Sequence, residues 1–395
     1  MPLAATPIGD TAQPGVAVTP FTQFVVKTTA KCNFACDYCY MYEAADRSWR
    51  DLAAAMSDDT MAQVARRIAE HAERHGLKRI QIVFHGGEPL LSGPDTLARA
   101  ADLFRREVGP GTAVECTVQT NGALLTERCV ETLAGADIRV GVSLDGDRGA
   151  NDRHRRLRGG RSSHETVVRG LRALRAHPEI YAGILCVVDL ANPPVETYES
   201  LLEHRPPMMD FLLPHGNWTT PPPGRPPDAS TPYADWAIAV FDRWYGAPRV
   251  ETGVRLFEEI ISGLLGGASR SESVGLSPVA VIVVNVDGAL EQVDTLRTAY
   301  HGAVSTALNV FDHPLDDALR HRDVVARQSG LRALSETCLR CPVHRVCGGG
   351  YYPHRYRAGS GFRNPSVYCP DLFRLIGHIR DRVRADVATI ARRTT

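Results

Sequence analysis

Three cysteines, Cys32, Cys36 and Cys39, stand at C-x3-C-x2-C spacing directly after the largely β-branched run Phe24-Val25-Val26-Lys27-Thr28-Thr29. The pattern predicts a strand whose carboxyl end opens into a metal-binding loop. Three thiolates can hold three corners of a cubane 4Fe-4S cluster and leave the fourth iron open to an outside ligand. An open iron implies chemistry, whereas a fully ligated cluster usually implies electron transfer. Structural zinc with a fourth ligand from elsewhere, or three buried thiols, are the alternatives. Phe34, Tyr38 and Tyr40 suit a shielded cluster or ordinary packing.

From Phe21 to about Pro214, short apolar runs alternate with helical patterns, as in βα units around a parallel sheet. Six strands are predicted at 24–29, 79–84, 113–119, 139–144, 180–188 and 208–213, with helices at 58–75, 94–108, 127–133, 164–176 and 195–204. A barrel of such units builds its site from the loops at the carboxyl ends of the strands. Those positions carry the cysteine loop, His85-Gly86-Gly87-Glu88-Pro89, Thr120-Asn121-Gly122 and Asp145-Gly146. The proline-rich stretch 206–232 marks the exit from this region. Helices at 233–245 and 254–265 then lead to a strand at 279–286, a turn at Asp287-Gly288 and a cysteine-rich end.

At 395 residues the chain is long enough for two or three domains, each with its own core. Lysine plus arginine equals aspartate plus glutamate at 45 each, so no global field recruits nucleic acid or an anionic membrane. Arg153-His154-Arg155-Arg156 remains a local anion site or a solvated basic run. No apolar run approaches the roughly 18 residues of a membrane span, and Met1 to Pro20 lacks a signal peptide's pattern, so a cytoplasmic protein is expected. In a reducing compartment, the clustering of the ten cysteines argues for metal ligation over disulfides.

The second group is Cys338-x2-Cys341-x5-Cys347 with Cys369, four thiolates that close a site for either a 4Fe-4S cluster or tetrahedral zinc. Gly348-Gly349-Gly350 would let backbone amides approach the sulfurs. Cys116, Cys129 and Cys186 have no cysteine neighbours and are assigned to the core. His85 ends a strand and serves as a hydrogen-bond donor or as packing beside the open iron rather than as a ligand.

Together, Cys32-x3-Cys36-x2-Cys39-Tyr40, His85-Gly86-Gly87-Glu88-Pro89, Gln119-Thr120-Asn121-Gly122 and Ser143-Leu144-Asp145-Gly146 resemble the radical S-adenosylmethionine (SAM) enzymes. The terminal cysteines resemble their SPASM extension. Lys27 to Cys32, Tyr40-Met41-Tyr42-Glu43, Ser48-Trp49-Arg50, Gly348 to Tyr352 and Asn364 to Cys369 resemble, more narrowly, the FxsB group of peptide maturases.

The resemblance implies an α/β fold: a partial (β/α)6 TIM-like barrel at 21–230 after a flexible 1–20, a helical bridge at 231–270, and a SPASM-type α+β domain with a C-terminal helix at 271–395. It implies an enzyme that crosslinks a ribosomally made precursor peptide, joining an aromatic ring to the β-carbon of a residue two positions later. A 4Fe-4S cluster at Cys32, Cys36 and Cys39 would bind SAM and yield a 5′-deoxyadenosyl radical. Gly86, Gly87 and Glu88 would meet the methionine amino group, where a β-carbon would block the approach. Gln119, Asn121 and Ser143 would face the ribose, and Arg155 the methionine carboxylate.

One auxiliary 4Fe-4S cluster is expected, at Cys338, Cys341, Cys347 and Cys369, because no cysteine lies between Cys186 and Cys338 and Tyr351 stands where a further ligand often follows. Val293 occupies the position of another cysteine ligand in related maturases. Asp294 falls on an aspartate that serves some of them as a base; its plainer reading is a surface carboxylate near the Asp287-Gly288 turn. Flavodoxin or ferredoxin would supply electrons. Thioether formation or side-chain oxidation is the nearer rival, and a zinc-binding interaction protein the distant one.

Overall fold

The computed structural model describes residues 18–394 apart from 226, 227 and 229, so most of the expected flexible segment 1–20 lies outside the described residues. Six parallel strands follow one another across a sheet: β1 (Gln23–Thr29), β2 (Arg79–Gly86), β3 (Ala113–Thr120), β4 (Ile138–Ser143), β5 (Tyr181–Val187) and β6 (Met208–Leu212). The connections carry α1 (Asp58–Arg74), α2 (Pro94–Val108), α3 (Glu127–Gly135), α4 (Arg148–His154), α5 (His164–Leu174) and α6 (Pro194–Leu202). Local chemistry sets the helix starts: the side chains of Ser57, Thr126 and Asp147 each accept from the backbone amide three residues on.

Period-2 alternation gives the sheet two different faces. Phe24, Val26, Ile80, Ile82, Phe84, Cys116 and Val118 are buried in one core with Val64, Ile68, Leu97, Ala101 and Phe104 of the flanking helices. The intervening positions on the other face are largely polar. Gln23 is bonded to Gln81, Gln81 to Thr117 (3.3 Å) and Gln119 to Ser143 (3.0 Å), with Lys27 directly opposite His85. This inner face is a hydrogen-bonding surface rather than a layer of packed branched side chains.

The sheet continues beyond the six units. After α7 (Pro232–Tyr245), the two-residue β7 (Gly253–Val254) pairs with β6, and α8 (Arg255–Leu264) follows. The strand expected at 279–286 is β8 (Val281–Val284), which pairs in parallel with β1. Antiparallel β9 (Ala289–Glu291) and β10 (Ser305–Asn309) complete the order β10-β9-β8-β1-β2-β3-β4-β5-β6-β7. The C-terminal region thus begins inside the first sheet, because β1 would otherwise leave a row of unpaired backbone groups. Helices α7 and α8 pack with the terminal helix Cys369–Thr394 through Phe241, whose ring lies 5.3 Å from Phe257 and 5.8 Å from His378. No described helix is long and apolar enough to cross a membrane.

Candidate active site

The cysteine loop is zipped to two other loops at the carboxyl ends of the strands. Ala35 donates to the carbonyl of Arg156 (2.8 Å), Arg158 to that of Asn33 (3.1 Å), and the Arg158 side chain to that of Cys32 (2.7 Å). On the other side Gly87 donates to the Thr29 carbonyl (2.9 Å) and Glu88 to that of Lys31 (2.8 Å). Gly86 has φ +141°, and a β-carbon there would lie 2.1 Å from the Thr29 oxygen; one on Gly87 would lie 2.2 Å from the Lys31 oxygen. Both glycines let the second loop press against the first, a packing requirement beside the ligand approach expected of them. Gly86→Ala is expected to destabilise the protein by about 3 kcal/mol through overpacking and backbone strain. Its check is chemical denaturation, together with iron content.

Glu88 is buried, and its carboxylate accepts from the amides of Asn121 (2.8 Å) and Leu90 (3.0 Å) and the Thr120 hydroxyl (2.7 Å). Burial still pushes its carboxyl above the usual range. The Asn121 amide group donates to Asn33 Oδ1 (2.7 Å) and lies 3.9 Å from Cys32 Sγ. Gln119 and Ser143 bond each other on the inner face.

Arg155 is 7% exposed, so the solvated reading of this basic run fails at the residue singled out. Its guanidinium lies over the Phe34 ring (5.7 Å) and donates through Nη1 to the Tyr38 hydroxyl (3.0 Å), which in turn donates to Asp145. Burial works against the Arg155 charge, but Tyr38, Cys36 and Asp145 more than restore it. Its Nε is buried without a partner among the described residues. A cation with one unused donor beside the cysteine loop is what an anionic ligand group requires.

Asp294 is 6% exposed, which overturns the surface-carboxylate reading. It heads the turn Asp294–Thr298 and meets Lys27 of β1 and Arg297 Nε (3.2 Å). Lys27 also reaches Glu291 (3.2 Å), and Arg297 reaches Glu291 (2.5 Å) and Asp46 (3.0 Å). Burial alone would raise the Asp294 carboxyl, but Lys27, Arg297 and His85 hold it below the usual range. Tyr40 and Tyr351 stand near it, with the His215 ring 5.1 Å from that of Tyr40 and the His354 ring 5.3 Å from that of Tyr351. The Nδ1 atoms of His85 and His215 and the Nε2 of His354 are buried without partners among the described residues.

The four later cysteines also converge: Cys347 feels Cys369 and Cys338, and Cys369 feels Cys338 and Cys341. Burial pushes the Cys347 thiol up to about 12, although the Gly349 amide donates to its sulfur and Arg355 lies close. Gly348, Gly349 and Gly350 have φ of +61°, +81° and +72°, a run only glycine adopts readily, and Arg355 clamps the carbonyls of Gly348 and Gly350 (both 2.6 Å). Cys116, Cys129 and Cys186 lie in the hydrophobic core as expected.

Residues 26–205 match the Radical SAM superfamily. That stretch is a radical SAM domain. The chain is similar to the serine-type anaerobic sulfatase-maturating enzyme of Klebsiella aerogenes, 25% identical over 86% of this chain and 82% of that protein. The cysteine-type enzyme of Clostridium perfringens (strain 13 / Type A) is 24% identical over 84% of this chain and 88% of its own. The serine-type enzyme of Bacteroides thetaiotaomicron is 29% identical, but over 47% of this chain and 44% of that protein. Among solved structures, native anSMEcpe with bound AdoMet superposes with a TM-score of 0.79 at 20% identity, covering 93% of this chain and 99% of its own. Streptococcus suis SuiB bound to precursor peptide SuiA gives 0.58 at 17% identity, covering 90% and 76%. At these identities the superpositions speak for the fold.

A radical SAM domain implies a 4Fe-4S cluster and SAM, and the donor set fits. Burial pushes the thiols of Cys36 and Cys39 up to about 12 and about 11, so thiolates here need a metal's charge, and Arg155 keeps a spare donor. Sequence reasoning missed Lys27, Arg297, Glu291 and His354 as parts of this site. Lys27 alone gave a signal, as the one charged residue of its strand.

Proposed function

We propose that this radical SAM enzyme is a peptide maturase that forms a cyclophane crosslink between an aromatic ring and the β-carbon of a residue two positions later. The observation that carries the reading is Asp294, a buried, ionised carboxylate that Lys27 ties to the strand leading into the cysteine loop. On this reading the barrel spans 21–230, the bridge 231–270 and the SPASM-type domain 271–395.

The cluster and SAM, when bound, supply a 5′-deoxyadenosyl radical for hydrogen abstraction. Arg155 would use its spare Nε on the methionine carboxylate, and the backbone at Gly86-Gly87 would meet the amino group. Glu88 is already engaged by three internal donors and would hold these loops together. Gln119, Asn121 and Ser143 would exchange their present hydrogen bonds for the ribose. Forming the crosslink removes two hydrogens: one as the abstracted atom, the other as a proton and an electron. Asp294 would accept the proton and the Cys338/Cys341/Cys347/Cys369 cluster the electron. Tyr40, His215, Tyr351 and His354 supply an aromatic, polar wall suited to a peptide, and an electron donor such as flavodoxin or ferredoxin completes the system.

The sulfatase-maturating relatives favour a second reading, oxidation of a peptide side chain. The test uses peptides presenting an aromatic residue two positions before a residue with a β-hydrogen. Asp294→Asn is expected to keep 5′-deoxyadenosine formation while lowering crosslinked product at least about tenfold, as for loss of a catalytic base. Fragment ions locate the bond. An unchanged product yield removes Asp294 from the mechanism, and oxidised product without a crosslink selects the second reading.

A further inference from the structure

At the opposite end of β1 from the cysteine loop, His71 in the last turn of helix α1 and His75, which caps that helix, lie four residues apart and face Asp316 of the short helix Leu315–Leu319. Asp316 Oδ1 lies 2.6 Å from His71 Nδ1 and 3.1 Å from His75 Nε2. One donor atom from each of the three residues falls within 4.8 Å of the others. His71 and Asp316 are both held from behind. The Nε2 of His71 meets the Phe21 carbonyl at 3.2 Å, which makes it an N–H and leaves Nδ1 as the atom turned toward Asp316. Arg74 Nη1 holds the other Asp316 oxygen at 3.0 Å. Two imidazole nitrogens and a carboxylate oxygen thus converge on one point, the donor set and spacing that a small divalent cation requires.

We propose that His71, His75 and Asp316 form a site for a divalent transition metal of the zinc type, with water as the fourth ligand. Histidines at i and i+4 present two nitrogens on one helix face, and two imidazoles with a carboxylate suit zinc. The carbonyl behind His71 and the guanidinium behind Asp316 are the outer partners that orient metal ligands. Tetrahedral donors about 2.05 Å from zinc stand about 3.3 Å apart, so the shortest pair opens by roughly 0.7 Å. His75, with 27% of its side chain exposed, and the Asp316 carboxylate have the freedom to supply that movement. The metal would staple α1 to the C-terminal region at the end of the sheet remote from the radical chemistry, and the inference does not depend on the crosslinking reading.

The alternative occupant of the gap is a proton, giving an imidazolium–carboxylate pair. Reconstituted holoenzyme of verified iron content is dialysed against buffered micromolar free zinc, and zinc and iron are counted by mass spectrometry. His75→Ala removes an accessible ligand and leaves the buried contacts of His71 in place. The expected result is one more zinc per chain in the wild type than in His75→Ala and in Asp316→Asn, at equal iron. A zinc-dependent rise in thermal midpoint should appear in the wild type alone. Equal zinc uptake by all three chains, or uptake by none, overturns the proposal.

Discussion

Replacing Arg297 with leucine is expected to destabilise the protein by about 3–5 kcal/mol, because it strips one partner from a buried ionic network. The Arg297 side chain is wholly buried and bonds Asp46, Glu291, Asp294 and the Ser48 hydroxyl. Three carboxylates there face two cations, Lys27 and Arg297. Leucine leaves Glu291 and Asp294 with Lys27 alone and takes from Asp46 its buried cation, in a place where water cannot compensate. Arg297→Lys should recover part of the loss at most, since an ammonium cannot reproduce the fork that reaches three carboxylates.

The network also has a pH signature. Burial alone would raise the Asp294 and Asp46 carboxyls, yet Lys27 and Arg297 hold Asp294, and Ser48 and Arg297 hold Asp46, below the ordinary value. A carboxyl with a depressed folded pKa contributes stability that is fully present above the unfolded value, about 3.9. That contribution is lost as pH falls through the folded value. The wild type should therefore lose stability more steeply below about pH 4 than Arg297→Leu does. Anaerobic chemical denaturation from pH 3 to 7 measures both effects, and coincident unfolding midpoints for the two proteins would remove the network from the stability argument.

The Cys32→Ala/Cys36→Ala/Cys39→Ala variant is expected to form no 5′-deoxyadenosine above a no-enzyme control. It should also fall from about eight irons per chain to about four, as for loss of one of two 4Fe-4S clusters. The loop itself should persist. Its bonds to Arg156, to Arg158 and through Gly87 and Glu88 are backbone bonds that alanine leaves intact. The loss would then be chemical rather than structural, which circular dichroism can verify. Alanine at Cys338, Cys341, Cys347 and Cys369 should remove the other four irons while SAM cleavage continues. Cleavage that survives the first substitution would move the reaction away from this loop. Cleavage that fails in the second would give the later cysteines a role in holding the barrel together.

The cysteine loop and the loops facing it were legible because each follows a strong apolar strand and carries residues with few other uses. Asp294 was visible only through its resemblance, and its surroundings were hidden. Its partners come from β1, β9 and the segment after the cysteine loop, and no local pattern joins Lys27, Glu291 and Asp46. The glycines of the second loop were recognised, but not the collision they avoid with the Thr29 and Lys31 carbonyls, which tertiary packing brings close. Strand β9 has three residues and β10 a shifted register, too little period for a sequence pattern. The charge on Arg155 looked solvated because a basic run normally is, and its burial depends on Phe34, Tyr38 and Asp145 arriving from two other loops.

The pairing of β8 with β1 sets an order of events during synthesis. The first strand emerges early from the ribosome, but the partner for one of its edges is encoded beyond residue 280. Until that segment appears, β1 offers a bare template beside three reactive thiols, and a nascent chain in that state is open to intermolecular strand pairing. Lys27 waits as long for Glu291 and Asp294, so its charge guards the unfinished edge before it becomes part of the finished interior. Truncations that stop short of β8 should therefore accumulate as aggregates rather than as a smaller working barrel.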